Sequence, residues 1–250
     1  MSTVTLNGTQ NNSDLREQLF NDGVTGSIQQ VQVSKERVAQ LRGIMFDIDP
    51  LIIRQNPLIP SHPSSAPEFY REVAQTWLRR HPVLDKAEVR CSGQGLHVIL
   101  RFDTPVVFHT DGDRDRWDGV AKVIQAALPV DPDAPSITAT TRPVGSTNSK
   151  NGAAVTLLKP GTPVRAEEVL ALYEEMKTAP FQTVLGILAG PGEVSPCPYC
   201  QREGSTLRPV RIVGFCYGGC GKIPLQRLYE LLLLPRNVAE KGGVNHDHKE

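Results

Sequence analysis

The amino-acid sequence predicts an α+β fold, in which a mixed or antiparallel sheet carries flanking helices and a small cysteine-bearing unit follows. Segments of strand length and segments of helical periodicity succeed one another without the regular alternation of a doubly wound sheet. A Ser-Gly-Gln-Gly turn at residues 92–95 joins two strands into a hairpin. Four cysteines in two close pairs follow a Pro- and Gly-rich joint at residues 188–196, which predicts a domain boundary.

The order of the elements follows from the periodicity of apolar residues. Strands are predicted at residues 27–33, 43–48, 87–91, 96–102 and 153–158. Helices are predicted at residues 66–80, 113–128, 165–177 and 225–234. In the second helix, Trp117, Val120, Ile124 and Leu128 share one face. The predicted organisation is a flexible tail (1–25), a main domain (26–187), a cysteine-bearing unit with its helix (188–236) and a disordered tail (237–250).

The composition argues against several classes of protein. Lys plus Arg and Asp plus Glu both number 27, so the net charge is zero and any nucleic-acid-binding surface must be a local patch. No apolar run approaches the roughly 18 residues of a membrane span, and the first residues are polar, which argues against membrane insertion and secretion. The five cysteines, four of them in paired spacing, favour a metal site in a reducing compartment, so we expect a cytoplasmic protein.

Two carboxylates stand at the end of an apolar strand, in the run Phe-Asp-Ile-Asp-Pro at residues 46–50. Residues i and i+2 of a strand point to the same face, so the side chains of Asp47 and Asp49 lie about 7 Å apart. Carboxylates placed in this way can jointly bind divalent cations. The alternative is an ordinary strand end that runs into a turn at Pro50.

The hairpin turn delivers a histidine, in the run Ser-Gly-Gln-Gly-Leu-His at residues 92–97. The two glycines allow a sharp turn or the close approach of a ligand. His97 then opens an apolar strand and can face a cleft, where it can donate a hydrogen bond to a phosphate. The alternative is an ordinary hairpin whose histidine is paired within the protein.

A cationic loop follows at residues 142–150, with the sequence Arg-Pro-Val-Gly-Ser-Thr-Asn-Ser-Lys. Arg142 and Lys150, together with exposed amides and hydroxyls, suit a triphosphate or a nucleic-acid backbone. The alternative is a polar turn before the next strand. Upstream, Asp131 and Asp133 offer a further carboxylate, although they too could belong to a solvated turn.

The four paired cysteines suit a tetrahedral structural Zn²⁺. They are Cys197, Cys200, Cys216 and Cys220. The alternative, two disulfides, is disfavoured in a reducing compartment. Cations and aromatic residues are interleaved around them, as single-stranded nucleic acid would require, although an ordinary zinc-ribbon surface is also possible. These residues are Arg202, Arg208, Arg211, Lys222 and Arg227, with Tyr199, Phe215 and Tyr217.

The order of these motifs resembles that of the archaeo-eukaryotic primase (AEP) superfamily, and within it the primase-polymerases of plasmids, phages and other mobile elements. The resemblance spans roughly residues 40–160 and implies an RRM-like sheet. It implies that Asp47, Asp49 and a third acid bind the catalytic metals and that His97 contacts the incoming nucleotide. The third acid is Asp131, with Asp133 as the alternative. One departure concerns Arg142, because the proline of the usual Arg-Leu-Pro-Gly-Thr run is shifted by one position.

The activity implied is that of a DNA primase-polymerase, a nucleotidyltransferase that uses two Mg²⁺ or Mn²⁺ ions. It would act on a single-stranded DNA template with NTPs or dNTPs. The expected nucleotide-binding residues are Ser92, Gly93, Gly95, His97, Arg142, Asn148 and Lys150. A separate helicase is an expected partner, since the chain lacks a G-x-x-x-x-G-K-[ST] run. Two alternatives remain, a nuclease-type replication initiator that uses the same acids and a non-catalytic nucleic-acid-binding protein.

Overall fold

The computed structural model describes residues 34–48, 65–131, 133–148, 151–190, 192–210 and 212–233. Several features predicted from the sequence lie outside these residues. They are Asp49, Lys150, Arg211, the strand at 27–33 and the tails at 1–25 and 237–250.

Seven strands and seven α-helices are formed by the described residues. The strands are β1 Gln40–Ile48, β2 Glu88–Cys91, β3 Leu96–Val107, β4 Thr156–Lys159, β5 Leu207–Val210, β6 Val213–Cys216 and β7 Gly221–Pro224. The helices are α1 Ala66–Phe69, α2 Gln75–Arg79, α3 Pro82–Asp85, α4 Asp111–Ala127, α5 Ala166–Thr178, α6 Pro180–Ala189 and α7 Leu225–Leu233. A short 3₁₀ turn, Lys35–Arg37, precedes β1, and a π-helical turn, Tyr70–Ala74, joins α1 to α2.

The main sheet has four strands in the order β1-β3-β2-β4, and every neighbouring pair is antiparallel. The predicted α+β class with an antiparallel sheet is therefore confirmed. β3 continues beyond residue 102 to Val107, because the start of β1 supplies pairing partners there, with Leu41 opposite Val106. The sequence alone does not indicate this extension, since the run 103–107 contains Asp and Pro.

The two faces of the main sheet are covered differently. The cross-strand row Phe46–Val98–Val89 is buried in the main core, together with residues of the helices such as Trp117. The neighbouring row contains Met45 and Ile99, which form a small separate cluster with Ala139. The segment after α4 therefore covers the second face, which also carries Asp47 and His97.

Helix α4 shows how the sequence specifies a local element. Thr110 caps its N-terminus through a reciprocal pair of hydrogen bonds, in which the amide of Asp113 donates to the Thr110 hydroxyl and the amide of Thr110 donates to the Asp113 carboxylate. The predicted apolar face is buried, with Trp117 only 5% exposed and Ile124 fully buried. The periodic pattern therefore placed this helix correctly to within two residues at its start.

Helix α6 was not predicted as an element, because its apolar run adjoins the Pro- and Gly-rich joint. Pro180 occupies its first turn, where the missing amide costs nothing. Its Phe181 ring packs so closely on Gly214 of β6 that a Cβ there would lie 2.2 Å from the ring. The predicted boundary between the main domain (26–187) and the cysteine-bearing unit (188–236) falls in the last turn of this helix. None of the helices formed by described residues is long and apolar enough to cross a membrane.

Candidate functional site

Strand pairing brings two of the predicted site residues together. Asp47 of β1 lies opposite His97 of β3, and Arg90 of β2 lies opposite His97 on the other side. Directly opposed residues in an antiparallel pair project from the same face of the sheet. The row Asp47–His97–Arg90 therefore places a carboxylate, an imidazole and a guanidinium on one face.

His97 is held in a buried, positively charged environment. His97 is only 5% exposed, and its Nδ1 lies 2.7 Å from the hydroxyl of Thr141. Burial, reinforced by the positive charges of Arg142 and Arg90, lowers the pKa of His97 to about 4. With this pKa the imidazole is neutral at pH 7, so it can form hydrogen bonds without carrying charge.

Arg90 anchors the cationic loop to the sheet, and the sequence analysis did not single it out. Its Nη1 donates to the backbone carbonyl of Arg142 at 2.7 Å, and its Nε donates to the carboxylate of Glu88. Arg101 donates to the same carboxylate at 2.9 Å. Burial would raise the pKa of Glu88, but the hydrogen bonds from Arg101 and Arg90 outweigh it and hold the pKa below its usual value. The signal in the sequence was a charged residue between the buried Val89 and Cys91, in a strand that leads to the glycine turn.

The glycine turn lies close against the end of β1. The amide of Ser92 donates to the carbonyl of Gly95 at 2.9 Å, and Gly93 has φ +120°, which side-chain-bearing residues rarely adopt. A Cβ on Gly95 would lie 3.0 Å from the carbonyl oxygen of Ile48 and 3.5 Å from a carboxylate oxygen of Asp47. Gly95 therefore allows the end of β1 to approach the turn.

Asn148 joins the cationic loop to this turn. Its buried side-chain amide donates to the carbonyl of Ser92 at 2.6 Å, while the Ser92 hydroxyl donates to the carbonyl of Gly95 at 3.2 Å. Both side chains thus make hydrogen bonds within the protein, so each holds the shape of the site. Gly145, at φ +89°, is exposed in the same loop.

Asp131 lies beside Asp47 through the main chain. The amide of Asp131 donates to the carbonyl of Asp47 at 2.8 Å, and the side-chain amide of Gln125 donates to the carbonyl of Asp131 at 2.7 Å. One carboxylate oxygen of Asp131 accepts a hydrogen bond from the backbone amide of Asp133, and Asp133 is exposed. These contacts favour Asp131 over Asp133 as the acid next to Asp47. We call Asp47, Arg90, His97, Asp131, Thr141 and Arg142 the sheet-face site.

The sheet-face site offers ligand types that suit a hard divalent cation. Carboxylate oxygens are the ligands that Mg²⁺ and Mn²⁺ prefer, and Asp47 and Asp131 supply them. Among the described residues these acids do not form a group of three closely spaced ligands. Asp49, the third member of the set implied by the resemblance, lies outside the described residues.

The four paired cysteines form a compact cluster. Their Sγ atoms all lie within 4.8 Å of one another, and those of Cys200 and Cys216 are 3.9 Å apart. A tetrahedral zinc ion with bonds of about 2.3 Å needs sulfur atoms about 3.8 Å apart, so this geometry fits the metal. One pair precedes β5 and the other closes the turn between β6 and β7, which together with β5 form a three-stranded antiparallel sheet.

The chemistry of the cluster also suits a cation. Burial raises the pKa of Cys197 to about 11, and burial with the neighbouring thiols raises that of Cys220 well above its usual value. For Cys200, burial is outweighed by hydrogen bonds from Ser205 and from the Arg202 amide, which lower the pKa to about 6. Without a cation, the cluster can therefore ionise only in part. A bound metal ion would stabilise all four thiolates.

Backbone groups near the sulfurs complete this arrangement. The amide of Gly218 donates to the Sγ of Cys216 at 3.3 Å, and the amide of Cys197 donates to the hydroxyl of Ser205 at 3.0 Å. A Cβ on Gly218 would lie 2.2 Å from the Cβ of Ser205, so only glycine fits between the two turns. The four cysteines can hold a metal ion such as zinc.

Comparisons with known proteins add little to this geometry. Neither a scan against protein-family models nor a search of curated proteins found a match. Among solved structures, the chain is similar to the AEP domain of the cyanophage S-2L primase-polymerase, with a TM-score of 0.36 and 14% identity. The match covers 56% of this chain and 64% of that domain. A TM-score of this size does not establish a common fold, so the assignment of the site depends on its own residues.

Proposed function

We propose that the chain is a primase-polymerase, a nucleotidyltransferase that makes or extends strands on a single-stranded DNA template. The observation that carries the proposal is the cross-strand row Asp47–His97–Arg90, with Asp131 bound to the main chain of Asp47. This row unites residues from separate motifs on one sheet face. The proposal includes an AEP-like fold and a cytoplasmic location.

In the proposed reaction, the carboxylates of Asp47, Asp49 and Asp131 would hold two Mg²⁺ or Mn²⁺ ions. When bound, such ions would supply a lowered pKa for the attacking 3′-hydroxyl and a stabilised charge for the leaving pyrophosphate. The carboxylates set where the ions bind, and Gln125 keeps the main chain at Asp131 in place through its hydrogen bond to that carbonyl. The acids of this chain thus determine where the reacting groups meet.

Neutral His97 would serve as a positioned hydrogen-bonding group for the incoming nucleotide. Thr141 engages Nδ1 of the imidazole, which leaves Nε2 for the ligand. A neutral donor can bind a phosphate oxygen without taking part in proton transfer at pH 7. This role requires that Thr141 keep the ring in one orientation.

The cationic loop would hold the triphosphate. Arg142 offers a guanidinium near His97, and Arg90 keeps its backbone on the sheet. Lys150 adds a further cation in the proposal. Ser92, Gly93, Gly95 and Asn148 shape the turn against which the nucleotide would lie. Preorganised cations of this kind stabilise the charge that develops during phosphoryl transfer.

The remaining parts of the proposal concern organisation and partners. The main domain would span 26–187 and the cysteine unit 188–236, with a structural Zn²⁺ on its four cysteines. Nucleotide substrates would be NTPs or dNTPs, and strand separation would depend on a separate helicase. Buried residues of both units belong to one hydrophobic cluster, in which Phe181 packs on Gly214, so we expect the two domains not to move independently.

Primer synthesis on single-stranded DNA, followed with labelled nucleotides in Mg²⁺ and in Mn²⁺, tests the proposal. We expect synthesis by the parent chain and a loss of about 10³-fold in Asp47→Asn, since ligation of the catalytic metals supplies several kcal/mol. Asp103→Asn is the matched control, because Asp103 is an exposed aspartate on β3 away from the row. Equal synthesis by Asp47→Asn and the parent would show that Asp47 is not part of the catalytic site. A template that is cut rather than copied would instead support the nuclease alternative.

A further inference from the structure

The outer face of the three-stranded sheet carries an unusual set of exposed side chains. Pairing across β5, β6 and β7 aligns Arg208, Phe215 and Lys222 in one row, and all three are exposed. The alternate residues, such as Leu207 and Ile223, are buried on the opposite face. The sheet therefore covers the core with one face and presents a cation–aromatic–cation row with the other.

Two aromatic rings form the centre of this face. Phe215 is 40% exposed and Tyr217 is 64% exposed, and their ring centroids are 4.9 Å apart with a tilt of 60°. The guanidinium of Arg208 lies 5.3 Å from the centroid of the Tyr217 ring. Exposed rings held in place in this way usually mark a binding surface, because leaving them in water has a cost in free energy. We call Arg208, Phe215, Tyr217 and Lys222 the aromatic face.

Tyr199 differs from these two residues, although the sequence groups all three. Its ring lies 5.6 Å from the guanidinium of Arg227, and its hydroxyl is buried, without a hydrogen-bond partner among the described residues. Burial also raises its pKa well above the usual value. Tyr199 is therefore part of the packing, and only Phe215 and Tyr217 are available to a ligand.

The charges around the rings favour an anionic ligand. Arg208 and Lys222 flank Phe215 on its two neighbouring strands. Arg208 also pairs with Glu193 at 2.6 Å, but both side chains are about half exposed. An exposed ion pair contributes little free energy, so a phosphate can compete with that carboxylate. A ligand that offers both flat rings and phosphates matches this face.

We propose that the aromatic face binds single-stranded nucleic acid. Phe215 and Tyr217 stack on unpaired bases, while Arg208 and Lys222 contact the phosphates beside them. A duplex fits less well, because its bases already stack on each other and do not expose their faces. The choice of a template strand as the natural ligand rests on the proposed function. The binding itself does not require the sheet-face site.

Fluorescence anisotropy with a labelled single-stranded oligonucleotide, using the full chain with its zinc content confirmed, tests this inference. Phe215→Ala and Tyr217→Ala should each weaken binding about tenfold, while Tyr217→Phe, which keeps the ring, should bind as the parent does. Lys222→Gln should reduce the slope of log affinity against log salt by about 0.7. Val107→Ala is the control, since it removes an apolar side chain whose exposure lies between those of the two rings, at the far end of β3.

Two results would overturn the inference. One is unchanged binding by both alanine variants, and the other is equal affinity of the parent for the duplex and the single strand. If the unchanged binding came with altered sedimentation of the alanine variants, the face would be a protein interface. Asp47→Asn should bind the oligonucleotide normally. A parent chain that binds single strands through these rings but synthesises nothing would therefore contradict the proposed function alone.

Discussion

The four cysteines come from two short turns, residues 197–200 and 216–220, whereas the sheet-face site draws its residues from β1, β2, β3 and the segment after α4. The spacing within each cysteine turn already places two sulfurs near one another. Asp47 and His97, fifty residues apart in the sequence, meet only because β1 and β3 pair in one register. A shift of that register by one residue would turn every side chain of β1 to the opposite face. The cysteine cluster thus depends largely on local geometry, and the sheet-face site depends on long-range pairing.

The strongest test of this contrast removes one cysteine. Cys197→Ser should abolish zinc binding and disorder the turns around β5–β7, since a structural zinc contributes about 10–16 kcal/mol of binding free energy. Metal content by mass spectrometry and near-ultraviolet circular dichroism measure the change. Cys91→Ser is the matched control, because Cys91 is buried in β2 outside the cluster. If Cys197→Ser still bound one zinc ion per chain, the four-sulfur site would be wrong.

On the side of the sheet-face site, Arg90→Gln should have the largest effect on stability. It removes one charge-assisted hydrogen bond to Glu88 and another to the carbonyl of Arg142, which together contribute about 3–5 kcal/mol. Urea unfolding measures the loss. Under the proposed function, the KM for nucleotide should also rise, because the cationic loop is released. Arg101→Lys changes a second partner of Glu88 that is more exposed and does not touch the loop. A KM raised as much in Arg101→Lys as in Arg90→Gln would argue against the anchoring role.

His97 should make folding stability depend on pH. Its pKa is lowered from 6.5 to about 4, first by burial and then by the charges of Arg142 and Arg90. Between these two pH values the unfolded chain binds a proton at His97 and the folded chain does not. Stability from this group is complete above pH 6.5 and falls by about 2–3 kcal/mol as the pH drops to 4. Urea unfolding across this interval should show a shallower decline in His97→Gln than in the parent. Parallel declines would assign the pH dependence to other groups.

The smallest expected effect concerns the register itself. Gly43 lies where the pairing of β1 with β3 shifts, and a Cβ there would lie 2.4 Å from the carbonyl oxygen of Leu100. Gly43→Ala should therefore destabilise the protein by about 1–3 kcal/mol in thermal or urea unfolding. Gly119→Ala should have the opposite sign, a gain of about 0.5–1 kcal/mol, because Gly119 lies inside α4 and the added Cβ would meet nothing within 4 Å beyond the neighbouring backbone of its own helix. Two losses of equal size would show that Gly43 has no special place in the sheet.

Sequence patterns predicted the elements with strong local signals. The apolar face through Trp117 and Ile124 predicted α4, and the glycines around Gln94 predicted the hairpin between β2 and β3. The Thr110 cap was not identified, and the helix begins two residues earlier than predicted. Helix α6 was not predicted, because its short apolar run adjoins the Pro- and Gly-rich joint. The close packing of its Phe181 on Gly214 depends on the tertiary fold and cannot be read from local signals.

By itself, the sequence determined the chemistry of this protein, namely which carboxylates, which imidazole and which four thiols are available and in what order. Only the tertiary structure decided which of them meet. The register of β1, β3 and β2 placed Arg90 beside His97, and the fold of the segment after α4 placed Thr141 on the imidazole and Asp131 beside Asp47. It also exposed Phe215 while burying the hydroxyl of Tyr199. The physical reason is that cross-strand neighbours depend on register and burial depends on packing, and neither quantity can be read from sequence spacing.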